Sequence, residues 1–247
     1  MSISIYSKYT NYTYTLQVYV PRVEVPMKGF GVIYVLDGQN YFDFAKQTVD
    51  LQYKNAPKTN VHPAIIVSIN HQKEDFRARR FQDFTAKANS YVFPPRMQRR
   101  DPKTVGGANE FHEFITKEVK AYISANYSIN PNKETIYGHS LGGYYTLWTL
   151  FNHPETFANY ISISPSIWWN DYEMWAMADE FIKKNVCDKS LFISTGELEG
   201  FMAEDALTMY KKLSNTKLRL SCYIAPEENH ASVVPTTISR AFRFLSN

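Results

Sequence analysis

The chain has 247 residues, a length that suits one α/β domain spanning 1–247, and its 44% hydrophobic and 15% aromatic content excludes a disordered chain and supplies a large core. With 27 basic and 24 acidic residues the formal net charge is only +3, so bulk electrostatics select neither nucleic acid nor an acidic membrane surface. Two cysteines, Cys187 and Cys222, show no metal-ligand spacing and fit a reducing compartment.

The start, Met1 to Tyr12, is polar and lacks the basic and apolar regions of a leader. No apolar run approaches the roughly 20 residues that cross a bilayer. The expectation is a cytoplasmic protein with no membrane or nucleic-acid partner and an unknown oligomeric state. Tyr12 to Val20 alternates and is rich in Tyr, Thr and Val, which predicts an antiparallel edge strand ended by Pro21. Gly31 to Leu36 is continuously apolar, as a strand buried on both faces should be. Asp37-Gly38-Gln39-Asn40 reads as a turn at its C-terminal end, with a helix from Phe42 to Leu51. Ala64 to Ile69 is a second buried strand. Residues 70 to 105 lack clear periodicity and read as a long, cap-like loop region. After Gly106-Gly107, a helix is expected over Asn109 to Asn126, with Phe111, Phe114, Ile115, Val119, Tyr122 and Ile123 at helical spacing.

Next comes Gly138-His139-Ser140-Leu141-Gly142, a G-x-S-x-G run. A short strand, Glu134 to Tyr137, precedes it, and an apolar helix, Tyr144 to Asn152, follows. Strand, tight turn and helix form the context in which this motif presents a nucleophilic serine. Glycines beside the turn relieve crowding between strand and helix. Further strands are expected at Tyr160 to Ser164, Leu191 to Thr195 and Leu218 to Ile224, with helices at roughly Asp171 to Lys184, Ala203 to Leu213 and Val234 to Phe244. The alternation implies a mostly parallel sheet covered by helices on both faces.

Working residues of such sheets lie beyond the C-terminal strand ends. Ser140 follows one strand, Glu197 and Glu199 follow a second, and His230 follows a third, giving the order Ser, acid, His of an α/β-hydrolase. A serine hydroxyl needs a base at neutral pH, and His230 is the histidine with both the order and the position. His139 adjoins Ser140, but neighbours in a tight turn are expected to point in different directions. Glu199 is favoured over Glu197 as the group that orients His230; a Ser-His dyad or a backbone carbonyl orienter stays open. The N–H groups of Leu141, at a helix N-terminus, and Gln39 are the expected oxyanion donors. No metal or cofactor is called for.

Between Lys73 and Lys103 stand nine lysines or arginines against four acids, interleaved with Phe76, Phe81, Phe84, Tyr91 and Phe93. Such a mixture suits an anionic or aromatic ligand, or a solvated loop with anchoring rings. Trp168-Trp169 lies beyond another strand end and reads either as core or as a pocket wall.

The runs Tyr34-Val35-Leu36-Asp37-Gly38-Gln39, Arg80-Phe81-Gln82-Asp83-Phe84-Thr85, Gly138-His139-Ser140-Leu141-Gly142-Gly143, Ser164-Pro165-Ser166-Ile167-Trp168-Trp169 and Asn229-His230-Ala231-Ser232 together resemble the esterase branch of the α/β-hydrolases. Within it, the chain is similar to ferric-siderophore esterases that open catecholate trilactones. The resemblance implies a serine esterase with Ser140 as nucleophile and His230 as base, and with Arg80 helping to hold substrate. Some members work with a weak or absent acid. The branch also holds simple carboxylesterases, so the ester itself is not specified.

Overall fold

The computed structural model describes residues 2–94, 97, 104–186 and 188–246. Eight strands form one sheet: β1 (Ser2–Ser7), β2 (Tyr12–Tyr19), β3 (Phe30–Leu36), β4 (Ala64–Asn70), β5 (Ile129–His139), β6 (Asn159–Ile163), β7 (Ser190–Gly196) and β8 (Arg219–Ala225). Their spatial order is β1-β2-β4-β3-β5-β6-β7-β8. The β1–β2 and β2–β4 pairs are antiparallel, and the rest of the sheet is parallel. The α/β-hydrolase architecture expected from the chain order is therefore present.

One strand assignment needs correction. Tyr12 to Val20 is not the edge; β1 is, and β2 lies between β1 and β4. The segment Ser2-Ile3-Ser4-Ile5-Tyr6-Ser7 alternates as an edge strand does, with the isoleucines half-buried, while Tyr14, Leu16 and Val18 of β2 are buried. Pairing of β3 with β5 jumps from Phe30↔Ile129 to Val32↔Glu134, an irregularity that takes up Pro131, which has no N–H for a ladder.

The helices are α1 (Gly38–Gln52), α2 (Ala56–Thr59), α3 (Phe76–Phe84), α4 (Ala108–Phe114), α5 (Lys120–Asn126), α6 (Leu141–Asn152), α7 (Trp169–Tyr172), α8 (Met174–Lys183), α9 (Phe201–Leu213) and α10 (Val233–Phe244). Alternate strand residues feed two cores. Val32, Tyr34 and Leu36 face one, shared with α4 and α6; Ile33 and Val35 face the other, shared with α1 and α10. The single helix expected over Asn109 to Asn126 is α4 and α5 joined by a π-helical turn, Ile115–Val119. The Thr116 hydroxyl donates to the His112 carbonyl at 2.8 Å there, competing with the backbone ladder. The helix expected from Asp171 starts only at Met174, because Asn170, Asp171 and Tyr172, inside the short α7, are left-handed.

Residues 70 to 105 are not loop throughout, because α3 lies inside them. Its buried residues are Asp83 and Phe84, so its inward face is partly polar and the apolar period is weak. Asp83 accepts from Tyr14 Oη at 2.6 Å, from Arg79 Nε at 3.1 Å and pairs with His71 Nε2 at 3.0 Å. A buried carboxylate tied to Tyr14, Arg79 and His71 stands where an apolar residue of the usual stripe would.

Candidate active site

The β5 strand runs directly into Ser140, whose φ is 60° and ψ −119°, a left-handed-side conformation that a serine adopts only under constraint from its surroundings. The constraint is visible. Ser140 N–H donates to the Ile163 carbonyl at 3.0 Å, and Ser166 N–H donates to the Ser140 carbonyl at 3.2 Å. A Cβ on Gly138 would stand 2.1 Å from the Gly142 carbonyl oxygen, so only glycine lets β5 and α6 approach this closely. A Cβ on Gly142 would meet its neighbours no closer than 3.5 Å, so the crowding expected on both sides of Ser140 exists at Gly138 and not at Gly142.

Ser140 Oγ lies 3.0 Å from His230 Nε2. His230 Nδ1–H donates to Glu199 Oε2 at 2.6 Å. The His230 side chain is 43% exposed and that of Glu199 only 1%, so the imidazole meets solvent while the carboxylate behind it is shielded. The other oxygen, Oε1, accepts from Ser164 Oγ at 2.6 Å and from the Gly196 N–H at 2.7 Å. Burial pushes the Glu199 carboxyl up; the bonds from His230, Ser164 and Gly196, with the His230 charge, outweigh it and hold it below the usual value. Of the two acids expected, Glu197 does not meet His230. It is exposed, and its Oε2 accepts from the Glu227 N–H at 3.0 Å.

The expected turn after β3 is tighter than the four residues assigned to it. Asp37 alone is left-handed, at φ 52°, and α1 begins at Gly38. Gln39 is thus the second residue of α1, and Leu141 the first of α6, so the N–H of each lies outside its own helix's ladder. Gly142 faces Leu36 and Asp37, which sets the two helix N-termini beside each other at the mouth of the elbow. This arrangement of a serine hydroxyl, a carboxylate-backed imidazole and two free N–H groups is what acyl transfer requires.

Arg80 is engaged within the protein. Its Nε donates to Asp37 Oδ1 at 2.7 Å, and its guanidinium lies 5.4 Å from the Phe76 ring centroid and 5.7 Å from that of Phe84. Arg79, another of the basic residues, is likewise tied to Asp83. Arg96, Arg99, Arg100 and Lys103 lie outside the described residues. Trp169 is fully buried against Phe81 and Phe93, so the pocket-wall reading is corrected to core; Trp168 beside it is partly buried.

Three residues near the chemistry were missed. Ser164, left-handed at φ 43°, supports the acid. His139, expected to point away, has its ring centroid 4.5 Å from that of His230. Tyr41 bonds His139 Nδ1 at 2.8 Å. The Ser-Pro-Ser run after β6 was a signal for the first; nothing in sequence spacing signals the other two. A cavity of about 580 Å³ lies at the opposite end of the sheet, lined among others by Lys28, Val61, Lys133 and Phe242, and holds none of these groups.

A family model described as "Putative esterase" matches residues 7–232. The ferri-bacillibactin esterase BesA of Bacillus subtilis is 35% identical over 249 residues, covering 96% of this chain and 86% of its own. A siderophore enterobactin esterase of Emericella nidulans is 27% identical, covering 89% of this chain and 83% of its own. Among solved structures, the BES protein from Bacillus cereus superposes with a TM-score of 0.92 at 34% identity, covering 100% of this chain and 96% of that one.

Proposed function

This chain belongs to the Esterase family and is an ester hydrolase, and from that premise we propose that it is a serine esterase that opens the ester bonds of siderophores. Ser140 Oγ attacks the ester carbonyl while His230 Nε2 takes its proton. Glu199 holds the imidazole by Nδ1 and stabilises the imidazolium. The N–H groups of Leu141 and Gln39 receive the oxyanion. Collapse expels the alcohol, protonated by His230, and leaves Ser140 acylated. Water, deprotonated by His230, then releases the acid and restores Ser140.

What supports this reading most is the continuous run of two hydrogen bonds from Ser140 Oγ through His230 to Glu199. The substrate class rests on the relatives, named for ferri-bacillibactin and enterobactin, and on the aromatic and basic segment of α3 and residues 85–93 beside the elbow. In this reading that segment caps the site, and Arg80 contributes its remaining N–H groups to an anionic, aryl-acyl ligand. A cytoplasmic location is proposed with it; the free thiol of Cys222 is at home in a reducing compartment.

The test is kcat/KM for wild type and Ser140→Ala on p-nitrophenyl acetate and on an iron-loaded catecholate trilactone. The proposal expects wild type alone to cleave both, and the trilactone far better. Cleavage of the small ester alone keeps the serine chemistry and removes the substrate class. Cleavage by Ser140→Ala at the wild-type rate removes the nucleophile.

A further inference from the structure

His230 is fixed along its edges by Ser140 and Glu199, but two hydrogen bonds in one plane leave the ring free to tilt about the line joining them. The third restraint is a second imidazole. His139, the residue before the nucleophile, is 5% exposed, and its ring sits against that of His230 at 4.5 Å between centroids with the planes inclined by 41°. His139 is held in turn by Tyr41 of α1, whose hydroxyl lies 2.8 Å from Nδ1 and whose ring meets the imidazole edge-on at 5.4 Å.

We propose that His139 is a positioning residue, its ring pinned by Tyr41 and backing the His230 imidazole so that the base stays aimed at Ser140 while it gains and loses its proton. The inference rests on the Ser140–His230 reading above.

Two features argue for this role over simple filling. The His139 imidazole is a buried polar ring, and burying it costs free energy that a phenylalanine at the same place would avoid. The histidine brings something an apolar ring cannot, namely the bond to Tyr41 that fixes its plane. Second, the ring is kept uncharged, as a support for an imidazolium must be. Burial is the main cause, the charges of His230 and Arg80 act in the same direction, and together they outweigh an opposing backbone hydrogen bond with His230, holding His139 well below the usual histidine range. Tyr41 keeps its proton as well: burial, then repulsion from Asp37, pushes it up to about 12 against the opposing pull of Arg80. The groups facing His139 are therefore Tyr41 from α1, Arg80 from α3 with its partner Asp37, and His230 itself. A neutral ring favours a cation over its face, whereas a charged one would repel it.

The experiment compares wild type with Tyr41→Phe, His139→Phe and His139→Ala in the full chain. The readouts are kcat and KM on p-nitrophenyl acetate and the far-downfield proton resonance of the His230 Nδ1–Glu199 bond. His139→Phe keeps the packing and Tyr41→Phe keeps the imidazole; each removes the pin alone. Both are expected to lower kcat roughly ten-fold with KM unchanged and to broaden the resonance, and His139→Ala to lower kcat roughly a hundred-fold, the scale of a misplacement near 1 Å. Unchanged kcat and a sharp resonance in both pin variants would overturn the inference. An inactive wild type would instead remove the serine-esterase reading, and the resonance would still decide whether His139 positions His230.

Discussion

Replacing Glu199 by glutamine asks whether the buried carboxylate works through its charge and its acceptor pattern. Both oxygens of Glu199 are occupied, and only by donors: Ser164 Oγ and the Gly196 N–H on Oε1, His230 Nδ1–H on Oε2. A glutamine has one acceptor end. If its oxygen stays with Ser164 and Gly196, its amide N–H groups face His230 Nδ1. The imidazole must then accept at Nδ1 and carry its proton on Nε2, where it cannot take one from Ser140. If the amide is turned the other way, its N–H groups oppose the Gly196 N–H, a backbone donor that cannot rotate aside. Recovering the working tautomer forfeits a charge-assisted bond and the stabilisation of the imidazolium, together about 5 kcal/mol or roughly 10⁴ in kcat.

The assay is kcat for p-nitrophenyl acetate, with thermal unfolding as a control for folding. Glu199→Ala opens a space in which water can serve Nδ1–H as acceptor, so its loss should be smaller than that of the glutamine. A fall of less than tenfold for Glu199→Gln, or an equal fall for both variants, would refute the tautomer argument. The carboxyl also has a pH signature. Its folded pKa lies below the unfolded one, so its contribution to stability is full above the unfolded value near 4.5 and disappears as pH falls through the folded value. The glutamine variant should lack that part of the acid dependence.

Three further outcomes are expected. Gly138→Ala drives a Cβ to 2.1 Å from backbone of α6 and should abolish fluorophosphonate labelling of Ser140; wild-type labelling would show that the elbow has slack. Arg80→Ala leaves the Asp37 carboxylate, 1% exposed and with Oδ2 already unpartnered, without its ion pair, and should lower unfolding free energy in urea by about 3 kcal/mol; an equal drop in hydrolysis of neutral and anionic esters would assign Arg80 to Asp37 alone. His112, buried against His153 at 4.1 Å, has its pKa lowered to about 3 by burial, then by the His153, Lys120 and Lys117 charges. Because the unfolded chain binds this proton more readily, stability falls as pH drops below the ordinary 6.5, by about 2 kcal/mol at about pH 5, and His112→Gln should flatten that part of the Tm–pH curve.

The inner parallel strands were legible because they are buried on both faces and largely apolar, as Gly31 to Leu36 and Leu191 to Ile193 show, whereas β8, at the sheet edge, is only half-buried. The elbow was legible because its glycine and its flanking elements leave a local trace. The helix α3 was not, because Asp83, Arg79 and Arg80 bury their polar ends in ion pairs where an amphipathic helix would show apolar residues. The first strand went unread because Ile3 and Ile5 are only two apolar residues in a polar start. His139 was misjudged for a different reason: strand alternation turns it away from Ser140, yet the chain carrying His230 folds back over that same end of β5.

The choice between Glu197 and Glu199 shows what spacing alone leaves open and what local geometry decides. The two are the first and third residues of a 3₁₀ turn, Glu197–Glu199, that follows β7. At about three residues per turn they point some 120° apart, so both cannot serve one imidazole. Glu199 turns inward to Ser164 and His230. Glu197 turns across to the Glu227 N–H, and Leu198 N–H donates to the Glu228 carbonyl at 2.9 Å. Gly196 makes that approach possible, since a Cβ there would stand 2.2 Å from the Glu228 carbonyl oxygen. The acid turn and the segment leading to His230 are thus fastened to each other by backbone, and the carboxylate–imidazole distance is set by that fastening more than by the two side chains. The second acid is a strut for the loop that delivers the base, and Glu197→Gln, which keeps an acceptor for Glu227 N–H, should leave kcat within about two-fold of wild type while Glu199→Gln does not.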